Sequence, residues 1–161
     1  MATCICQHVS PMTCESQLTI LQHPSEVGAA KNTARLIKLA IKTTNIWVGE
    51  AAHDFLEAQN SLAQSPLPVR VLYPTEHSAK LSDSCPQNQG PYHFVLIDGT
   101  WKKAYKLWQL NTWLHTLPTI SIQDVCSRYD IRKAPAEHCL STLEAAAFCL
   151  EQTEGINCSP L

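Results

Sequence analysis

Apolar positions along this chain recur with two periods. Gln17 to Gln22 (QLTILQ), Asn45 to Val48 (NIWV), Val69 to Tyr73 (VRVLY), His93 to Ile97 (HFVLI) and Thr119 to Ile122 read as strands. HFVLI is uninterruptedly apolar after His93, as expected of a strand covered on both faces. Gly49 and Pro74 end the second and third runs, and Pro118 precedes the fifth. Between them lie segments of helical period. Lys31 to Lys42 (KNTARLIKLAIK) carries Leu36, Ile37, Ala40 and Ile41 on one side, and Ala51 to Asn60 and Trp101 to Leu110 also read as helices. Ser82 to Pro91 is rich in breakers and reads as a loop. A last helix is predicted over Thr142 to Gln152. Ser141 and Glu144 form an S-x-x-E capping box at its start, and Leu143, Ala147 and Leu150 follow at helical spacing.

Strands alternating with helices predict an α/β fold with a mostly parallel sheet. Ligands of such sheets bind beyond the carboxyl ends of the strands. Three stretches qualify: Tyr73-Pro74-Thr75, Asp98-Gly99-Thr100-Trp101, and Ser127 to Thr142.

Composition narrows this picture. The 161 residues suit a single domain over 1–161, with a short Cys-containing segment at 1–17 and a tail at 155–161. An apolar content of 45% with 16% charged residues excludes a disordered chain. No apolar run approaches the ~20 residues of a membrane span. Met1 to Ser10 lacks the basic and apolar regions of a secretory signal, so a cytoplasmic location and no membrane partner are expected. Eight cysteines fall below the density of disulfide scaffolds. Cys126, Cys139, Cys149 and Cys158 read as small buried hydrophobes. Cys4, Cys6 and Cys14 crowd the start with His8, but without the C-x2-C spacing of zinc sites, so no metal is expected.

With a net charge of -2, a polyanionic partner would have to be held by local basic patches. Lys31, Arg35, Lys38 and Lys42 fall on one face of the first helix with no acid among them. Lys102, Lys103 and Lys106 form a second patch beside Asp98, and Arg128, Arg132 and Lys133 a third, offset by Asp130. Asp98 follows an apolar strand directly. A carboxylate there could serve as general base, orient a ligand, or cap the next helix. Trp101 at the loop–helix junction could wall a ligand pocket or pack in the core. Thr33 near the start of the first helix could cap it or touch ligand. The Ser141–Glu144 box could also present backbone N–H groups to a carboxylate-bearing ligand. The seven histidines show no H-x-x-x-H or H-E-x-x-H pair, and G-x-S-x-G, Walker A and G-x-G-x-x-G are absent.

The stretch VLIDGTWKKAYKL (Val95 to Leu107) resembles the signature of the DTW-domain proteins, with Asp98, Thr100 and Trp101 at the positions that give the family its name. Six further blocks resemble the family in order. They are LQHPSE (Leu21 to Glu26), NTARLIKL (Asn32 to Leu39), VGE (Val48 to Glu50), LYPT (Leu72 to Thr75), SRYDIRKAP (Ser127 to Pro135) and LSTLEA (Leu140 to Ala145). The resemblance covers about residues 18 to 152. It implies a SPOUT-like α/β fold with a deep trefoil knot. It also implies a tRNA-uridine aminocarboxypropyltransferase, which moves the 3-amino-3-carboxypropyl group of S-adenosylmethionine to uridine N3 and leaves 5'-methylthioadenosine. No obligate protein partner is expected.

On this resemblance Asp98 is the catalytic candidate, taking the N3 proton or holding the base in line. Trp101 would line the pocket for the methionine chain and sulfonium, and Thr33 would touch the amino acid end. Leu72, Tyr73, Pro74 and Thr75, with Leu140, Ser141 and Thr142, would hold the adenosine, largely through backbone groups. Lys31, Arg35, Lys102, Lys103, Arg128, Arg132 and Lys133 would bind RNA phosphates. One departure stands out: many members carry a C-x2-C pair ahead of a C-x-C pair, and here only Cys4-Ile5-Cys6 matches. The chain also ends soon after the last block, so no added C-terminal RNA-binding domain is expected. Other readings are a SPOUT-type methyltransferase using the same donor, a binding module without catalysis, and ribosomal RNA as the acceptor.

Overall fold

A computed structural model describes residues 9–29, 32–122 and 141–158. Its centre is a six-stranded sheet: β1 (Gln17–Gln22), β2 (Thr44–Val48), β3 (Val69–Leu72), β4 (Ala79–Lys80), β5 (His93–Asp98) and β6 (Thr119–Ser121). The order is β2-β1-β5-β3-β6-β4, and each neighbouring pair is parallel. The helices are α1 (Thr33–Ala40), α2 (Leu56–Ala63), α3 (Leu81–Ser84), α4 (Trp101–Leu110) and α5 (Thr142–Glu154).

Side chains alternate across a strand, so one apolar run feeds two cores. Leu18, Ile20, Phe94, Leu96 and Ile120 face one layer, where they pack with Ala34, Ile37 and Ala40 of α1 and Leu143, Ala146, Cys149 and Leu150 of α5. Leu21, Val71 and Val95 face the other layer, with Phe55, Ala58 and Leu62 around α2 and Leu107 and Trp108 of α4. The uninterrupted apolar run of β5 thus has the cause the sequence suggests: the strand lies inside the sheet and is covered twice. Each fully buried side chain of this size contributes roughly 1.5–3 kcal/mol of transfer free energy.

Several boundaries differ from the sequence expectation. The segment predicted as a helix over Ala51 to Asn60 divides into a 3-10 turn, Ala52–Phe55, followed by α2. The Asp54 carboxylate explains the start. It accepts from the N–H groups of Glu50 (2.9 Å) and Ala51 (3.0 Å), which tightens the entry. The stretch Ser82 to Pro91 does not begin as a loop, since α3 covers its first residues, and β4 is a two-residue strand that no periodicity could mark. Helix α1 stops at Ala40, and extended Ile41 closes it. Lys42 therefore lies beyond the helix, and the described part of the basic stripe on α1 reduces to exposed Arg35 and Lys38. The last helix starts as expected, with Ser141 Oγ accepting from Glu144 N–H (3.2 Å) and Glu144 Oε2 accepting from Ser141 N–H (2.8 Å). It runs on to Glu154, where left-handed Gly155 terminates it. Among the described residues no helix is long and apolar enough to cross a membrane.

Candidate active site at the carboxyl ends of the strands

Strands β1 and β5 have equal length and pair in register, so their last residues, Gln22 and Asp98, stand side by side. Both are polar and both are buried, at 3% and 8% exposure. A buried carboxylate is costly unless it is hydrogen-bonded. Asp98 has donors on both oxygens. Gln22 Nε2 donates to Oδ2 (2.8 Å) and Thr142 Oγ1 donates to Oδ1 (2.7 Å). Gln22 Nε2 also donates to Asn32 Oδ1 (3.1 Å), which caps α1 by accepting from Arg35 N–H (3.1 Å). One polar chain, Asn32–Gln22–Asp98–Thr142, thereby joins the heads of α1 and α5 along the carboxyl ends of β1 and β5.

Around this centre lies a charged rim. His23 N–H donates to the Asp98 carbonyl (3.0 Å). The His23 ring accepts at Nδ1 from Ser25 N–H (3.2 Å), which puts its proton on Nε2, facing Glu50 Oε2 at 3.2 Å. Lys106 pairs with the other Glu50 oxygen, and this ammonium, more than His23, holds the Glu50 carboxyl below its ordinary value. Lys103 reaches Glu26 at 3.0 Å.

The predicted site residues therefore divide. Asp98, Thr142 and Ser141 come together, with Thr33 at the head of α1 close to the same polar chain. Trp101 opens α4 and is 43% exposed, so its core-packing alternative is not what the structure adopts. Tyr105, one turn on, is 58% exposed. Leu72 ends β3 with its side chain packed against the core, and Pro74 is exposed. Tyr73 is 8% exposed and stacks on Trp108 at 4.5 Å, so its ring belongs to the core and only its backbone faces the rim. Thr75 spends its polar groups inside its own turn. Its N–H donates to Ser78 Oγ (2.8 Å), and Ser78 Oγ donates to the Tyr73 carbonyl (2.7 Å). This fixes the loop.

Lys102 and Arg35 are exposed, whereas Lys103 is neutralised by Glu26. Lys31, Arg128, Arg132, Lys133 and Leu140 lie outside the described residues, as do Cys4, Cys6, Cys126 and Cys139. Cys14 is half-buried beside Thr43, and burial pushes its thiol up. Cys149 and Cys158 are buried, as the composition suggests; burial raises both thiols, Cys158 to about 12. Among the described residues no group of three His, Cys, Asp or Glu could hold a metal ion.

Three contributors were not singled out as site residues from the sequence: Gln22, Asn32 and Ser121. Gln22 had one legible signal, a polar residue closing the apolar run of a predicted strand. Ser121 ends β6, the strand beside β3 and its Tyr73 turn in sheet order, and its buried hydroxyl has no hydrogen-bond partner. An orphaned polar atom at a carboxyl strand end suits a polar ligand edge. Fixed turns, an orphaned hydroxyl, an exposed indole and a buried anion together fit a nucleoside carrying a cationic centre.

What these elements define is a parallel α/β protein with a buried, doubly hydrogen-bonded carboxylate at the carboxyl ends of its strands. Residues 1–160 match the DTW domain, and the chain belongs to that family. It is 36% identical over 150 residues to tRNA-uridine aminocarboxypropyltransferase 2 of Drosophila melanogaster, covering 89% of this chain and 59% of that protein. It is 28% identical over 161 residues to the Mus musculus protein of the same name, covering 96% of this chain and 54% of the relative. The chain thus spans little more than half the length of the curated relatives it matches. No solved structure matches it significantly.

Proposed function

We propose that the chain acts as a tRNA-uridine aminocarboxypropyltransferase, making 3-(3-amino-3-carboxypropyl)uridine from tRNA uridine and S-adenosylmethionine in the cytoplasm. The observation that carries this reading is the buried Asp98 beside exposed Trp101, at the meeting of the β3 and β5 loops with the head of α5. The printed names of the relatives support the same class.

S-adenosylmethionine supplies a sulfonium that activates three carbons, so the pocket's orientation selects the product. Uridine N3 is a poor nucleophile until it loses its proton. Among the described residues each Asp98 oxygen accepts one donor, which leaves a second lone pair with which the carboxylate can receive N3–H and orient the base. Trp101 offers an aromatic face to the sulfonium, a contact worth ~0.5–2 kcal/mol. Thr33 meets the amino acid end of the donor, while the backbone at Leu72 to Thr75 and Leu140 to Thr142, with Ser121 Oγ, holds the adenosine. Tyr105 extends the aromatic surface of α4 toward an unpaired base. Arg35 and Lys102, with Lys31, Arg128, Arg132 and Lys133, meet the phosphates. Lys103 joins them when Glu26 releases it. The fold proposed is SPOUT-like and knotted; what supports it is the parallel sheet and the packing of α5, which follows β6 in sequence, against α1.

The test is nucleoside mass spectrometry on unmodified tRNA incubated with the protein and S-adenosylmethionine. Acp-uridine together with 5'-methylthioadenosine is expected. Methyluridine with S-adenosylhomocysteine would overturn the group transferred, and the absence of any adduct would overturn the tRNA substrate.

A further inference from the structure

Asp98 is held more tightly than a ligand-facing carboxylate requires. Its two donors come from separate elements, Gln22 from the end of β1 and Thr142 from the first turn of α5. Each donor is itself fixed. Asn32 Nδ2 donates to the Val27 carbonyl (3.2 Å) while Asn32 Oδ1 accepts from Arg35 N–H, so the orientation of that amide is settled. Gln22 then meets two acceptors, Asn32 Oδ1 and Asp98 Oδ2, and must present its nitrogen to both. Both Nε2 protons are used, and the amide has no alternative pose. Thr142 lies inside the Ser141–Glu144 capping box, directly after the N-cap, which fixes the backbone that carries its hydroxyl.

Two locked donors on opposite oxygens define the plane of the carboxylate. They leave the second lone pair of each oxygen in that plane for an incoming N–H. We propose that Gln22 and Thr142 are positioning residues that set the plane of Asp98 for the acceptor base, with Asn32 fixing Gln22. This rests on the transferase reading. It also gives the Thr142 side chain a role different from holding the adenosine of the donor.

The test is steady-state kinetics of acp-uridine formation by Gln22→Leu, Thr142→Val and Thr142→Ser, each also built on Asp98→Asn. Misplacing a reacting group by about 1 Å costs on the order of 100-fold, so Gln22→Leu and Thr142→Val should lower kcat roughly 10- to 100-fold. KM for S-adenosylmethionine should hold, and Thr142→Ser, which keeps the hydroxyl, should restore turnover. On Asp98→Asn the same substitutions should cost little more, because groups that act as a unit are non-additive. A raised KM with intact kcat in Thr142→Val would make Thr142 a donor contact and overturn its positioning role. Full additivity with Asp98→Asn would overturn the coupling, and variants as fast as wild type would overturn the proposal outright. Wild type that forms no acp-uridine would instead sink the transferase reading, and the positioning role with it.

Discussion

Strand β5 begins and ends in a buried polar residue, and the two ends behave differently. At the amino end His93 is 1% exposed and hydrogen-bonds through both ring nitrogens, Nε2 to Thr19 Oγ1 and Nδ1 to Ser65 Oγ, each at 2.8 Å. At the carboxyl end Asp98 is also bonded on both sides, by Gln22 and Thr142. The His93 partners are hydroxyls, which rotate to suit a neutral ring, and burial disfavours protonation of that ring. At Asp98 the Gln22 amide nitrogen can only donate and the Thr142 hydroxyl turns its proton to the carboxylate, the arrangement that suits an anion. The head of α5 bonds Asp98 directly and that of α1 reaches it through Gln22, whereas the His93 partners lie in β1 and just after α2. Burial and hydrogen bonding alone therefore do not mark a functional residue. What distinguishes the carboxyl end is a carboxylate met by two donors, at strand ends that also carry the unpartnered Ser121 hydroxyl.

The comparison is broken most directly by exchanging the chemistry at each end. Asp98→Asn should lower acp transfer by about 10²–10⁴-fold in a kinetic assay, the range for loss of an acid–base group, and leave the protein folded by circular dichroism. His93→Leu should do the reverse. It strands the Thr19 and Ser65 hydroxyls and should cost ~1–3 kcal/mol in urea unfolding while leaving kcat unchanged. The pH dependence sharpens the same point. Burial lowers the His93 value below the ordinary 6.5, so the unfolded chain binds a proton that the native ring refuses. Its contribution is complete above pH 6.5 and is lost as pH falls through the window beneath. Melting curves should show wild type weakening there and His93→Leu weakening less. Ser141→Ala removes the cap that presents Thr142 and should cost ~1 kcal/mol in thermal unfolding. The smallest effect is expected at the rim, where Lys102→Ala should reduce the salt slope of tRNA binding by about one phosphate contact or less.

Much of this architecture was legible because each signal was local. The apolar run of β5, the Ser141–Glu144 box and the span of α4 need only neighbours in sequence, and they stand where the pattern puts them. The candidate Asp98 was legible from its position after a buried strand. Its partners were not, since the pairing of Gln22 with Asp98 depends on strand order and register over 76 residues of separation. Pairing of Lys103 with Glu26, and of Lys106 with Glu50, is non-local in the same way, and it discharges part of a patch that looks free in one dimension. Strand β4 was invisible because two residues carry no period.

The claim that the carboxyl end is the working end is tested most directly by hydrogen–deuterium exchange with and without S-adenosylmethionine. Protection is expected in peptides spanning Leu72 to Thr75, Asp98 to Trp101 and Ser141 to Ala145, with the amino-end crevice of Thr13 to Glu15, Asn88 to Pro91 and Thr153 to Glu154 unchanged. Protection confined to that crevice, with none around Asp98, would contradict it.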